Sequence, residues 1–240
     1  MATYFISDLH LSATKPHLSS LFLKFLNGDA KKADALYILG DLFEAWIGDD
    51  NLDIHDMGII NALAEFSESG IPLYFMHGNR DFLIGEQFAV DSHCILLPDP
   101  VVVDLYNTPI LLTHGDLLCT LDHAYQRFRK FIRHSLVTKL LLSFPLSWRK
   151  KISSFLRKKS TRYTPSKEED HKWDVTLEAV YQTLREHKSL TLIHGHTHKP
   201  GIHHFILDNQ PAKRIVLGDW NETGSVLIYS PENIELKAVV

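Results

Sequence analysis

Five short apolar, β-rich runs each lead directly into a polar segment carrying metal-ligand side chains. The runs are Thr3-Tyr-Phe-Ile-Ser7, Ala35-Leu-Tyr-Ile-Leu39, Pro72-Leu-Tyr-Phe-Met76, Ile110-Leu-Leu-Thr113 and Leu190-Thr-Leu-Ile193. The segments that follow are Asp8-Leu-His10, Gly40-Asp41, Gly78-Asn79-Arg80-Asp81, His114-Gly-Asp116 and Gly195-His196-Thr197-His198. In an α/β domain, loops leaving adjacent strands converge on one edge of the sheet, so ligands distant in sequence can share one cavity there. One segment alone carries little information, because Asp-x-His and Gly-Asp are common in turns. Five in this order, each after a strand-like run, predict a metal site.

The donor set limits what such a site holds. Imidazole nitrogens, carboxylate oxygens and one amide oxygen, with no thiolate, suit Mn²⁺, Fe²⁺, Zn²⁺ or Co²⁺. Asp41, in the middle of the set, is the candidate bridge between two ions. Two ions roughly 3.5–4 Å apart acidify a shared water and clamp the attacking and leaving oxygens of an in-line displacement at phosphorus. The expected chemistry is hydrolysis of a phosphoester or phosphoanhydride.

Asp8, His10, Asp41, Asn79, His114, His196 and His198 together resemble the ligand set of the calcineurin-like metallophosphoesterases. That resemblance implies a β-sandwich flanked by helices, an α/β fold. Three longer strings narrow it: Tyr37 to Asp50, His77 to Gly85 and His194 to Pro200. They are similar to a branch of the superfamily whose substrate is UDP-2,3-diacylglucosamine, in lipid A biosynthesis. The resemblance implies Asp8, His10, Asp41 and His198 around one Mn²⁺ and Asp41, Asn79, His114 and His196 around a second. It also implies that Asn79, Arg80 and His196 face the diphosphate, with Asn79, Arg80, His114 and His196 as the catalytic group. The planar fork of Arg80 suits bidentate binding of phosphate oxygens. The competing reading of Arg80 is a surface salt bridge with Asp81.

With 240 residues, 45% of them hydrophobic, the chain can build one well-buried catalytic core plus an insertion. Cys94 and Cys119 are far apart and outside any Cys-x-x-Cys motif, and Ala2-Thr3-Tyr4-Phe5 leads straight into the first ligand loop without a signal peptide. Both features predict a reducing cytoplasmic setting, with the cysteines as small buried hydrophobes. No window approaches the roughly 18 uncharged apolar residues a membrane span requires.

Between the fourth and fifth ligand loops the sequence changes character. Residues 122–167 hold 13 Lys or Arg and a single acid, Asp122, a formal +12. The remaining 12 basic and 28 acidic residues give −16, so the chain total of −4 conceals a strongly basic segment. Phe128, Phe131, Ile132, Leu136, Leu140 and Leu141 recur at helical spacing, as do Ile152, Phe155 and Leu156 after Pro145. The pattern predicts two amphipathic helices bent at Pro145 that form a lid over the active-site edge, with residues 1–121 and 168–240 as the core. An apolar inner face suits acyl chains, and a basic amphipathic surface suits an anionic membrane, which predicts a peripheral protein on the cytoplasmic face of the inner membrane. The resemblance adds Asp122, Ser160, Thr164 and Lys167 as substrate contacts. Nucleic acid is not expected as a partner, since the patch lacks base-stacking aromatics, and no obligate protein partner is evident.

Other candidates carry less. His17, His55, His93, His134, His171, His187, His203 and His204 read as surface or structural. His77 and His194 sit beside ligand loops and can orient a ligand, as can Asp116 and Glu44. No Gly-x-x-x-x-Gly-Lys-Ser/Thr loop and no Gly-x-Ser-x-Gly elbow occur, so covalent serine chemistry is unsupported. Gly224 to Tyr229 and Ile234 to Val239 read as strands closing the second sheet. Two rival functions remain: hydrolysis of a soluble nucleotide, with the lid as a packing element, and a non-catalytic membrane-docking module.

Overall fold

The computed structural model describes residues 1–161 and 174–240, with side chains from 157 to 161 excepted. Each of the five apolar runs forms a strand: β1 (Thr3–Ile6), β2 (Ala35–Ile38), β3 (Leu73–Met76), β6 (Thr108–Thr113) and β7 (Thr191–His194). Among the described residues there are two mixed sheets. The first has the order β11-β10-β1-β2-β3-β4, with β4 at Ile95–Leu97, β10 at Gly224–Tyr229 and β11 at Ile234–Val239. The second has the order β5-β6-β7-β9-β8, with β5 at Val101–Leu105, β8 at Gly201–Leu207 and β9 at Gln210–Val216.

The runs are continuously apolar because both faces of these strands are covered. Side chains alternate across a strand, so Phe5, Tyr37 and Met76 point toward the second sheet and meet Ile110, Leu112, Ile193 and Ile215. Tyr4, Ile6, Leu36, Ile38, Leu73 and Phe75 point the other way, onto α1 (Pro16–Asn27), α2 (Ile54–Glu68) and α3 (Glu86–Ser92). Leu111 and Leu192 leave the second sheet outward against Val180 and Leu184 of α7 (Leu177–Glu186). The result is a helix/sheet/sheet/helix sandwich. Full burial of a side chain such as Phe5, Phe22 or Phe75 stabilises it by roughly 2–3 kcal/mol. Cys94 and Cys119 are both buried inside it.

The C-terminal hairpin departs from expectation. β10 and β11 extend the first sheet, because Thr3, Tyr4 and Phe5 of β1 pair antiparallel with Tyr229, Ile228 and Leu227. Val226 joins the outer core and Leu227 the inter-sheet core, the same two-faced burial β1 shows, which selects that neighbour.

The basic segment also differs, forming three helices where two were expected: α4 (His123–Ile132), α5 (Ser135–Ser143) and α6 (Leu146–Thr161). One break is at Pro145, which cannot continue α5. The other falls at Arg133 and His134, where the His134 ring accepts from the Leu136 amide and starts a new helix. No residue of α5 is buried. Among the described residues no helix is long and apolar enough to cross a membrane.

Candidate metal centre

β1, β2 and β3 run parallel, as do β6, β7 and β9, so the ligand loops leave their C-terminal ends at one edge of the sandwich. The loops lie against one another through main-chain bonds. Asp8 N–H donates to Gly40 O at 3.0 Å, His10 N–H to Asp41 O at 3.0 Å and Gly195 N–H to His114 O at 2.9 Å. Five of the ligand-type residues adopt left-handed backbone: Asp8 at φ 56°, His10 at 49°, Asp41 at 55°, His196 at 69° and His198 at 55°. Each such residue costs of the order of 1–3 kcal/mol, so neighbouring contacts must hold it, and strain of this kind gathers at functional sites. Gly78 and Gly195 make the close approach possible. A Cβ on Gly78 collides with the Asp41 carboxylate and backbone, and one on Gly195 collides with Ser7 and Asp8.

All seven side chains meet. Asp8 Oδ1 lies 3.3 Å from His198 Nε2, while its Oδ2 accepts the Ser7 hydroxyl at 2.5 Å and the His196 amide at 2.9 Å. Asp41 sits between two histidines, with Oδ2 3.9 Å from His10 Nδ1 and Oδ1 3.8 Å from His114 Nε2. Asn79 Oδ1 is 3.0 Å from His114 Nε2, and the His114 and His196 rings are 5.1 Å apart. Potential ligand atoms of Asp8, His10 and His198 lie within 4.8 Å of one another, and so do those of Asp8, Asp41 and His114.

The charges in this cluster are set by burial and by each other. Burial opposes ionisation of Asp8, but the His198 hydrogen bond and the charges of His114 and His198 overcome it and hold the carboxyl well below the usual range. Burial raises Asp41 to about 7, against the pull of His114. His114 rises to about 9 because Asp41 and Asp8 outweigh its burial, whereas burial lowers His10 and His196 to about 4.

These residues fit divalent metal. His10 Nδ1 is buried with no hydrogen-bond partner, an arrangement that costs free energy unless something else occupies its lone pair. Two carboxylates, four imidazoles and one amide oxygen converge with no thiol among them, a set that suits borderline and hard ions.

The model of the calcineurin-like phosphoesterase family matches residues 1–200. The chain belongs to that family. Among its relatives, a UDP-2,3-diacylglucosamine hydrolase of Pseudomonas paraeruginosa is 51% identical over 227 residues, covering 95% of this chain and 94% of its own. A protein of the same name from Aeromonas hydrophila is 48% identical over 242 residues, 100% of both chains. The solved structure of an archaeal phosphodiesterase shares the fold at a TM-score of 0.50 and 14% identity, covering 100% of this chain and 99% of its own.

Around this calcineurin-like centre the readings of Asp81 and Asp116 need revision. Asp81 is not the surface partner of Arg80: it is fully buried, accepting the Gly78 and Leu42 amides at 2.7 and 2.8 Å. Arg80 donates its amide to Asp41 Oδ1 at 2.8 Å and points its guanidinium toward Glu44, 3.6 Å away, at the rim of the site. His77 bonds the Ile84 carbonyl at 2.7 Å, a loop-closing role, and His194 bonds the Gly195 carbonyl at 2.8 Å. Asp122 caps α4 by accepting the Tyr125 amide at 2.8 Å. Ser160 lies near the end of α6, and its side chain, with Thr164 and Lys167, is outside the described residues.

Asp116 does not hold a ligating histidine. Its Oδ2 accepts Tyr125 Oη at 2.7 Å, Arg129 Nε at 2.8 Å and Arg133 Nη2 at 3.3 Å. Asp99 takes Arg129 Nη2 at 2.7 Å and the Thr113 hydroxyl at 2.5 Å, and Arg133 also donates to the Gly78 carbonyl at 2.9 Å. The Tyr125 ring stacks 6.4 Å from His196. Sequence reading missed Asp99, Tyr125, Arg129 and Arg133 as a unit. The available signal was that an α4 face carrying Tyr125, Arg129 and Arg133, at i, i+4 and i+8, can present all three to one carboxylate.

Proposed function

We propose that the chain hydrolyses the diphosphate of UDP-2,3-diacylglucosamine at the α-phosphorus, giving UMP and 2,3-diacylglucosamine 1-phosphate in lipid A biosynthesis. The observation that carries this reading is the meeting of seven ligand-type side chains at one edge of the sandwich in a chain about half identical to hydrolases named for that substrate. Asp8, His10, Asp41 and His198 would hold one Mn²⁺, and Asp41, Asn79, His114 and His196 a second. Such ions acidify a water and neutralise charge on the phosphoryl oxygens. The water oxygen joins the α-phosphorus and the bond to the bridging oxygen breaks, leaving the lipid 1-phosphate. Arg80, paired with Glu44 at the rim, would hold diphosphate oxygens through its fork. His196, with Asn79, orients the same group.

The three helices supply the lipid side. Phe131, Leu136, Leu140, Trp148 and Phe155 are all exposed apolar residues on α4 to α6, a concentration that suits acyl chains and a lipid surface. The interleaved Lys and Arg suit an anionic membrane, which supports a peripheral protein on the cytoplasmic face of the inner membrane.

The test is product analysis in ¹⁸O-water with Mn²⁺ and UDP-2,3-diacylglucosamine in mild detergent, beside a His10→Ala control. UMP carrying the label, absent from the control, is expected. Intact lipid nucleotide alongside cleavage of a generic phosphodiester would overturn the substrate while keeping the metal chemistry.

A further inference from the structure

Among the described residues the helical segment is fastened to the core by arginines at two places, and the second is a single buried arginine. At the α4 end, Arg129 and Arg133 reach Asp99, Asp116 and the Gly78 carbonyl. At the α6 end, Arg149 is only 4% exposed although it sits on a helix whose neighbours Trp148 and Lys150 face solvent. Its Nη1 donates to the Ile47 carbonyl at 2.6 Å and to Asp50 Oδ1 at 2.7 Å, its Nη2 pairs with Asp50 Oδ2, and its Nε donates to the Phe144 carbonyl at 3.0 Å. One guanidinium therefore joins the α5–α6 junction to the loop at residues 47–50.

That loop is itself hydrogen-bonded to the site and to α3. Trp46 N–H donates to the Arg80 carbonyl at 3.0 Å, and Trp46 Nε1 donates to Asp49 Oδ1 at 2.9 Å. The Asp49 carboxylate also accepts the amides of Gly85 and Phe88 at the start of α3. Gly48, at φ 130°, gives Arg149 its room, since a Cβ there collides with Nη1. Between the two fastened ends no residue of α5 is fully buried, and only Val137, Thr138 and Leu141 are half-buried. The segment is an arch whose position depends on its feet.

We infer that Arg149 is a positioning residue for the lipid substrate: by fixing the second foot of the arch to the Trp46–Asp50 loop, it sets the apolar faces of α5 and α6 against the ligand edge. This rests on the diacyl-nucleotide reading above. A small soluble phosphodiester engages the metal loops alone and does not need it. A guanidinium that fills four acceptors in one plane is poorly replaced by an ammonium, so Lys at this position restores the function only in part.

The experiment compares wild type with Arg149→Gln, Arg149→Lys and Gly48→Ala, which breaks the clasp from the loop side. Each is assayed on UDP-2,3-diacylglucosamine in detergent and on soluble bis(p-nitrophenyl) phosphate, with hydrogen exchange followed across the chain. A misplaced binding element costs on the order of 10- to 100-fold in kcat/KM, and that loss is expected for the lipid substrate of Arg149→Gln and Gly48→Ala, chiefly through KM. Arg149→Lys falls between, the soluble diester is unchanged, and exchange quickens in residues 135–156 with β1 to β3 protected. Equal loss on both substrates, or full activity on the lipid, overturns the inference. If wild type leaves the lipid intact, the diacyl-nucleotide reading fails, and exchange alone judges the clasp: unchanged protection over 135–156 in Arg149→Gln overturns it.

Discussion

His114, which follows β6 of the second sheet, commits one ring nitrogen to the first sheet: Nδ1 lies 2.8 Å from the Leu39 carbonyl oxygen, one residue past β2. Nδ1 must carry a proton to make that bond, so the ring is held in one orientation and Nε2 faces the ligand cluster. There Nε2 meets two acceptors, Asn79 Oδ1 at 3.0 Å and Asp41 Oδ1 at 3.8 Å. Although burial opposes it, the negative charges of Asp41 and Asp8 favour a second proton here, which raises the ring to about 9. The place of that proton is the place a cation would take.

The stability of the metal-free chain follows from this. His114 (folded value about 9) and Asp41 (about 7) are raised, as is His198, so the folded state holds more protons than the unfolded chain in that range. The His114 contribution is fully present below its unfolded value of 6.5 and is lost as pH rises toward 9. His10 and His196, lowered to about 4, act in the opposite sense below 6.5, where the unfolded chain takes up their protons first. Thermal melts of chelator-treated protein should therefore peak near pH 6.5 and fall on both sides, and added Mn²⁺ should restore Tm most at pH 8 to 9.

Gly78→Ala and Gly195→Ala place a methyl against Asp41 and against Ser7 and Asp8, respectively. Overpacking of this kind costs about 1–3 kcal/mol and displaces the side chain it meets. The expected outcome is a folded protein with a lower Tm and activity reduced on the lipid and the soluble diester alike, read by calorimetry and by both assays.

The strands and the ligand loops were legible because both follow local rules. A two-faced apolar run such as Leu36-Tyr-Ile-Leu39 can be little else than a buried strand, and its polar exit marks the edge where ligands gather. What was not legible depends on partners remote in sequence. Asp81 looked like a neighbour for Arg80, yet its oxygens are claimed by the amides of Gly78 and Leu42. Asp116 looked like support for a histidine, yet arginines of α4 reach it first. The sheet joined by β10 and β11 was likewise decided by pairing with β1, over two hundred residues away.

Asp116→Ala strips Arg129, Arg133 and Tyr125 of a shared partner in a buried setting. Removing one member of such a network costs about 3–5 kcal/mol, with the lower end expected because both arginines keep other acceptors. Chemical denaturation should show the loss, while Asp116→Asn, which keeps the acceptor oxygen, should lose less.

Leu136 and Leu140 are exposed on α5 with no core to fill, so charging them leaves folding intact. Leu136→Glu with Leu140→Glu should weaken hydrolysis of UDP-2,3-diacylglucosamine and reduce binding to anionic vesicles, while the soluble diester is cleaved as before. Equal loss on both substrates would count against an acyl-chain role for the helix.

The most direct test of the two-ion reading is a metal titration of chelator-stripped protein, with bound Mn²⁺ and hydrolysis measured on the same samples. Two ions per chain at full activity, with Asp41→Ala unable to retain either tightly because both would share its carboxylate, is the predicted result. Full activity in excess chelator, or saturation at one ion with Asp41→Ala still active, would contradict it.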